Sequence, residues 1–207
     1  MATVFDSATG ITTTYYYDLL GRALYYTKQG ANLSQTVYYT YDAENNLESL
    51  TETVGNSTQG YAYTYDNANR IRSVTVNGTT VTYHYEEDNE LGRLEEKVTT
   101  QGDIEVKREA YTYRNWTDSE GVARTTSQIA SYAVTTGGTT TTYSYTYDDN
   151  GNILTISDGT NVTSYVYDSA NQLVRENNQA EGYTHTWTYD NAGNIKKRKE
   201  YAYTTDA

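Results

Sequence analysis

The chain has 207 residues, a formal charge of −12 at pH 7, and neither cysteine nor proline. Its acidity disfavours nucleic acid as a partner, because phosphate binding needs a basic surface, and without cysteine it has no disulfides and no thiolate zinc sites. No apolar segment is long enough to cross a membrane as a helix, so we expect no membrane insertion.

A Tyr-Asp motif recurs along the chain with similar neighbours each time. The clear copies are Tyr17-Asp18, Tyr41-Asp42, Tyr65-Asp66, Tyr147-Asp148, Tyr167-Asp168 and Tyr189-Asp190, and blurred copies occur at Tyr85-Glu86 and Tyr113-Arg114. The clear copies lie roughly 20–24 residues apart, with one longer interval, which is typical of a repeat array. We therefore predict a single module over residues 1–207, built from about eight hairpin repeats.

Aromatic residues precede each Asp at alternate positions. In the third copy these are Tyr61, Tyr63 and Tyr65, whose rings lie on one face if the segment is a β-strand. The same alternation predicts an aromatic face along the array. It comprises Tyr15, Tyr17, Tyr39, Tyr41, Tyr61, Tyr63, Tyr65, Tyr83, Tyr85, Tyr111, Tyr113, Tyr143, Tyr145, Tyr147, Tyr165, Tyr167, Trp187 and Tyr189.

Each clear copy continues into a predicted turn. The Asp carboxylate is suited to accept backbone N–H bonds at the first corner, and three residues later stands a Gly or Asn, which tolerates positive φ. This pattern indicates a type I turn that closes through a left-handed residue. The predicted structural turn pairs are Asp18 and Gly21, Asp42 and Asn45, Asp66 and Asn69, Asp148 and Gly151, Asp168 and Asn171, and Asp190 and Gly193.

The return strands end in glycine-rich turns, of which Asn77-Gly78 is the clearest hairpin signal. No stretch shows a helical apolar stripe. We predict an all-β fold: an antiparallel β-hairpin array that forms a curved or spiralling meander sheet, open rather than fully closed. Its exposed terminal strands invite edge-to-edge self-association, and we interpret the basic run at residues 196–199 as charge that restrains such pairing.

Two copies are irregular, at residues 83–98 and 111–129, where the turns gain residues. Inserted loops of repeat arrays are often places of contact, so Trp116 with its acidic neighbours is a candidate binding loop. The alternative is that the insertions have no role, because surface loops lengthen at little thermodynamic cost.

Candidates for catalysis are few. His84 and His185 each lie within a Tyr/Thr strand, and His185 continues the alternating face of Tyr183, Trp187 and Tyr189, where we interpret it as replacing an aromatic residue. No pair of carboxylates stands out as glycosidase-like, and the acidic turns match no calcium-loop spacing. We therefore expect no enzyme, no catalytic residue, no metal site and no cofactor.

The segments Tyr15–Arg22 and Tyr145–Ile153, with the pattern Tyr-x-Tyr-Asp-x-x-Gly, resemble the YD repeat of RHS proteins. That family includes bacterial polymorphic toxins, toxin-complex components, wall-associated proteins and the teneurins. The resemblance implies a non-enzymatic structural repeat module, part of the β-shell of a secreted or cell-surface bacterial protein that encloses a toxin or displays a surface. Its partners would be the remaining repeats of the parent protein and, in the first case, a toxin cargo.

An alternative function uses the same tyrosines. Rows of exposed rings would suit a carbohydrate-binding, cell-wall-binding or adhesion module, with a glycan as the partner, because sugar rings stack on aromatic faces. The repeat register also predicts an excised piece, since the chain stops at Tyr201-Ala202-Tyr203, the start of another copy. Without proline, the Asp-Pro self-cleavage segment that closes RHS shells is not found.

Overall fold

The computed structural model describes residues 1–87, 91–117 and 120–204, and these residues form 17 β-strands without a helix. The all-β prediction is therefore confirmed. The strands are β1 (Ala2–Asp6), β2 (Ile11–Tyr17), β3 (Ala23–Gly30), β4 (Leu33–Tyr41), β5 (Leu47–Val54), β6 (Ser57–Tyr65), β7 (Ile71–Val76), β8 (Thr79–Tyr85), β9 (Leu94–Gln101), β10 (Ile104–Thr117), β11 (Ala123–Thr136), β12 (Thr139–Tyr147), β13 (Ile153–Ser157), β14 (Val162–Tyr167), β15 (Leu173–Asn178), β16 (Tyr183–Tyr189) and β17 (Ile195–Ala202). The centres of the two predicted insertions, residues 88–90 and 118–119, lie outside the described residues.

The chain divides into two compact units, each with an antiparallel meander. Unit 1 comprises Met1–Tyr85 and Lys97–Val106, and unit 2 comprises Glu86–Glu96 and Lys107–Ala207. Pairing joins consecutive strands from β1 to β8 in unit 1 and from β10 to β17 in unit 2. The predicted hairpin meander is thus confirmed, while the single-module organisation stays a prediction.

The pairing register separates two faces with different chemistry. Tyr61 lies opposite Leu50 and Val76 on one face, while Thr64 lies opposite Ser73 on the other. We call these the tyrosine face and the threonine face. In β6 and β12 the tyrosines are half-buried and the residues between them are mostly exposed. This alternation gives a sheet its two unlike surfaces.

The register shifts by one residue at every clear Tyr-Asp turn. In the first copy, Tyr16 lies opposite Tyr25 but Tyr17 lies opposite Ala23, so Leu24 is left unpaired. The same shift occurs before Tyr41, Tyr65, Tyr147, Tyr167 and Tyr189. A bulge after a left-handed turn residue is the usual closure of a type I hairpin turn.

Neither unit contains a sealed apolar core among the described residues. Val37, 3% exposed, is the one buried apolar side chain there, and the other buried residues are polar: Glu109, Asn177, Thr184 and His185. On the threonine face, hydroxyls of opposed residues lie within hydrogen-bond distance, as for Thr64 and Ser73 at 2.7 Å. Stability must therefore come from half-buried rings and lateral hydrogen bonds between strands.

Candidate functional site

The repeated turn is the most regular structural feature, and it is closed by its aspartate. In the third copy the Asp66 carboxylate accepts hydrogen bonds from the backbone N–H of Ala68 and of Arg70, both at 2.9 Å. The Asp66 carbonyl accepts from the N–H of Asn69, which has φ 58°. One carboxylate therefore satisfies two otherwise unpaired donors of the turn.

The other clear copies have the same design. The carboxylates of Asp18, Asp42, Asp148, Asp168 and Asp190 each accept from the N–H four residues later, at 2.7–2.9 Å. The predicted left-handed positions Gly21, Asn45, Asn69, Gly151, Asn171 and Gly193 all have positive φ. The structure thus places the predicted turn pairs at these corners, with the Asp bonding inside its own turn.

Neighbouring turns are joined through the left-handed residue when that residue is Asn. The side-chain amide of Asn46 donates to the Asn69 side-chain oxygen of the next turn at 3.1 Å. Likewise the Arg22 guanidinium donates to the Asn45 oxygen at 2.6 Å. A Gly at this position has no side chain to accept such a bond. Asn and Gly are therefore equivalent for the backbone but not for contacts between turns.

A second contact joins each repeat to the one before it. The Tyr65 hydroxyl, on β6, donates to the Leu47 carbonyl of the neighbouring strand β5 at 2.9 Å. Equivalent tyrosine–carbonyl bonds are made by Tyr41 to Ala23, Tyr85 to Ile71, Tyr113 to Leu94, Tyr147 to Ile129 and Tyr189 to Leu173, at 2.7–2.9 Å. These bonds satisfy a hydroxyl that would otherwise be poorly solvated on a half-buried ring.

An arginine at the closing position of a turn contacts both the turn aspartate and a tyrosine of the next repeat. Arg70 donates to the Asp66 carboxylate at 2.6 Å, and its guanidinium lies 4.2 Å from the centre of the Tyr85 ring. The irregular fourth copy keeps this arrangement although its turn is longer. There Arg93 pairs with Glu86 at 2.6 and 2.9 Å and lies 4.3 Å from the Tyr113 ring. The lengthened turn therefore preserves the contacts that close it.

The pKa shifts of the turn aspartates and of the tyrosines follow from these contacts. Backbone N–H bonds from Arg70 and the Arg70 side chain hold the pKa of Asp66 below its ordinary value of 3.8, despite partial desolvation. Desolvation raises the pKa of Tyr65 above 10. The hydrogen bond to Glu109, at 2.7 Å, raises the pKa of Tyr132 to about 12. At neutral pH the Asp66 carboxylate is therefore ionised, and the phenols of Tyr65 and Tyr132 are neutral donors.

The aromatic rings of the predicted aromatic face are mostly half-buried. All of its predicted members are half-buried except Tyr17, which is 45% exposed. Some rings approach across strands, as do Tyr111 and Tyr132, with centroids 5.2 Å apart. Sequence reasoning missed Tyr132, because it lies on a return strand away from a Tyr-Asp motif.

A further tyrosine row lies on the threonine face and was also missed. Tyr16 and Tyr25 stack with centroids 4.1 Å apart, and Tyr25 and Tyr38 follow at 5.2 Å. Tyr38 is 52% exposed. The signal was available in the run Tyr15-Tyr16-Tyr17, since consecutive residues of a strand point to opposite faces.

Trp116 lines a cleft of about 420 Å³ in unit 2. The cleft lies between the long hairpin β10–β11, which contributes Arg114, Trp116, Thr126 and Gln128, and the Tyr-Asp turn at residues 148–151. Trp116 is 50% exposed. Of its predicted acidic neighbours, Asp118 lies outside the described residues. Sequence reasoning did not place the turn at Asp148 beside Trp116.

The two histidines have different environments. His84 is exposed, whereas His185 is 6% exposed and its ring lies 4.2 Å from that of Tyr183. His185 is 2.8 Å from the Glu200 carboxylate and 3.6 Å from that of Glu176. Among the described residues no Ser or Thr hydroxyl bonds to His185, so it lacks the nucleophile that a hydrolytic dyad requires.

Within residues 1–87, 91–117 and 120–204, no group of three or more His, Asp or Glu side chains is placed to hold a metal ion. The same residues contain no helix suited to spanning a membrane.

Comparison with known families gives a match. The RHS Repeat family matches residues 147–178, a segment that contains the Tyr-Asp motifs at Asp148 and Asp168. Comparison with curated proteins finds no match to this sequence.

Two solved structures are similar to this chain. A crystal structure of TcdB2-TccC3 without its hypervariable C-terminal region is similar over 94% of this chain, with 14% identity and a TM-score of 0.49, and this chain spans 14% of that one. A porin-like protein from Bacteroides uniformis ATCC 8492 is similar over 96% of this chain and 92% of its own, with 13% identity and a TM-score of 0.40.

Proposed function

We infer that this chain, an RHS-repeat protein by its match over residues 147–178, acts as a structural repeat module. We propose that it forms one stretch of a β-shell in a longer bacterial protein that is secreted or displayed at the cell surface. Its partners are then the remaining repeats of that protein and the cargo or segment that the shell encloses.

The observation that carries this proposal is the tyrosine–carbonyl bond between successive repeats. Because the Tyr65 hydroxyl binds the backbone of the preceding hairpin, the contact depends little on which residue stands there. Any further Tyr-Asp repeat could therefore be added by the same bond. Contacts made only between neighbours are the basis on which repeat arrays extend.

The proposal also assigns the repeated polar residues to structure rather than to catalysis. Each Asp carboxylate of the clear copies accepts hydrogen bonds inside its own turn, which leaves it poorly placed to transfer protons to a substrate. The buried His185 bonds to the exposed Glu200 and lies beside the exposed Arg198. We therefore propose a non-enzymatic role.

Glycan or cell-wall binding by rows of exposed tyrosines is the competing function. It requires ring faces open to a ligand, whereas the rings of the tyrosine face are half-buried and six of their hydroxyls are bonded to backbone. These contacts support packing. In the row of Tyr16, Tyr25 and Tyr38 on the threonine face, Tyr38 is 52% exposed, so glycan binding that is lost in Tyr38→Ala would favour the competing function.

Electron cryo-microscopy of the full-length natural protein that contains this chain tests the proposal. We expect the strands of this chain to continue into further Tyr-Asp hairpins that form a wall around an enclosed segment. A chain that stands alone as a separate module, with its outer strands unpaired and nothing enclosed, would contradict the shell proposal.

A further inference from the structure

We propose that the cleft beside Trp116 binds a neutral saccharide, with one pyranose ring stacked on the indole. This function goes beyond the structural role proposed above, because it assigns a ligand to a feature that an array of identical repeats would not contain. The residues that are seen to line the cleft all belong to unit 2.

The cleft exists because the hairpin β10–β11 departs from the regular repeat. Both of its strands have 14 residues, and pairing continues through Trp116 and Arg124 beyond the point where a Tyr-Asp turn would close the hairpin. The turn beside it has Gly151 at the left-handed position. With no side chain there, the turn leaves room for the Gln128 side chain of the hairpin.

Gly151 also shapes the floor of the cleft. A Cβ atom built at Gly151 would lie 2.9 Å from the Gln128 side-chain amide nitrogen, closer than real contacts allow. The Gln128 amide therefore occupies the position that a larger turn residue would take. Its oxygen lies 3.3 Å from an Arg114 guanidinium nitrogen, which orients the amide.

The side chains around the cleft match the hydrogen-bonding needs of a sugar. Each hydroxyl of a saccharide donates and accepts, and the cleft offers both kinds of partner. Among the described residues, the Trp116 indole N–H and the Asp149 carboxylate make no hydrogen bond. Arg114 has further guanidinium N–H groups beyond its contact with Gln128. A few polar groups around one aromatic ring are typical of a site that orients a polar ligand.

The charges of the cleft select the class of saccharide. Asp148 and Asp149 lie on one side and Arg114 on the other, within a chain whose formal charge is −12. An acidic sugar would meet net repulsion, whereas a neutral one would not. A pyranose with equatorial substituents presents a flat face of C–H bonds to the half-exposed indole ring, so β-linked glucose or N-acetylglucosamine units fit best.

Isothermal titration calorimetry of the purified chain with cellotetraose and with triacetylchitotriose tests the proposal. We expect saturable binding of at least one of these probes. Trp116→Ala should weaken it by about tenfold or more, which is 1.4 kcal/mol. Trp116→Phe, which keeps an aromatic face, should weaken it less and covers the case in which the Ala variant misfolds. Trp187→Phe, on the strand β16, should leave the affinity unchanged.

Glycine variants give a matched pair for the shape of the cleft. Gly151→Asn places a side chain into the cleft and should abolish binding, whereas Gly21→Asn makes the same change in a turn with open space and should have no effect. Absence of saturable binding to both saccharides would overturn the proposal. So would binding that Trp116→Ala and Gly151→Asn leave unchanged. Either failure would leave the shell proposal standing, because that proposal does not require a ligand.

Discussion

The turns at Asp42 and Asp66 in unit 1 and the turn at Asp148 in unit 2 have the same backbone closure but different surroundings. In the first pair, Asn46 reaches across to the side chain of Asn69, and the turns are joined. Beside the turn at Asp148, Gly151 offers no side chain and a cleft remains. The comparison teaches that Asn at the left-handed position accepts a bond from the preceding turn, whereas Gly151 lacks that acceptor and faces the elongated hairpin β10–β11 that lines the cleft.

The largest expected effect on stability comes from a substitution that puts a residue unsuited to positive φ at the left-handed position. Asn69→Val places a β-branched residue at φ 58° and removes the acceptor for Asn46. We expect the free energy of unfolding to fall by about 2 kcal/mol, because such a residue is strained in this region. Urea unfolding followed by circular dichroism measures it. If Asn69→Val lowered the free energy of unfolding by less than Asn69→Gly does, the turn would not need positive φ at residue 69.

Acid should weaken both regions alike, since both turns depend on an ionised corner. Arg70 backbone and side-chain bonds lower the pKa of Asp66, and the Asn152 side-chain and backbone bonds lower that of Asp148. A carboxyl with a lowered pKa stabilises the fold above its unfolded pKa, near 3.8, and this stability is lost as the pH falls through the lower folded value. Stability measured from pH 7 down to pH 2 should therefore decline below about pH 4.

The variants Asp66→Asn and Asp148→Asn sharpen this test. Each should be less stable than the natural chain at pH 7, and the difference should shrink below pH 3 as the natural carboxyl becomes protonated. A difference that stays constant with pH in either variant would mean that the ionised form is not what closes that turn.

A smaller effect should follow from removing only the bond between turns. Asn45→Gly keeps φ 71° accessible but removes the acceptor for the Arg22 guanidinium. Glycine also gains freedom in the unfolded chain, so Asn77→Gly in the β7–β8 turn, also at positive φ, serves as control. We expect Asn45→Gly to cost about 0.5 kcal/mol more than the control. Equal losses would indicate that the exposed bond contributes nothing.

The smallest effect on stability is expected where the cleft is filled. Gly151→Asn brings its side chain against the flexible end of Gln128, which can move away, so the free energy of unfolding should change by no more than about 0.5 kcal/mol. Gly21→Asn should behave similarly. Unfolding of the Gly151→Asn variant alone would show that the cleft is a structural necessity of unit 2.

The fold could be predicted from the sequence because its signals are local. Alternating tyrosines such as Tyr61, Tyr63 and Tyr65 specify a strand face, and Asp66 with Asn69 specifies how the strand ends. Repetition of these signals predicts that successive strands pair antiparallel, and the structure confirms this.

The contacts between repeats could not be predicted, since they depend on the lateral register of neighbouring strands. The sequence required a partner for the Tyr65 hydroxyl but did not specify the Leu47 carbonyl. It likewise marked Trp116 as unusual without indicating that the turn at Asp148 lies beside it. Such partners depend on the pairing register of each strand with the next, and a bulge of one residue shifts that register.

Replacement of Tyr65 by Phe, compared with Tyr63→Phe on the same strand, tests most directly whether tyrosine–carbonyl bonds hold successive repeats together. Both rings are half-buried, but within the described residues only the Tyr65 hydroxyl is hydrogen-bonded. In urea unfolding, Tyr65→Phe should lower the free energy of unfolding by about 1 kcal/mol, and Tyr63→Phe should change it little. Equal effects of the two substitutions would contradict the account.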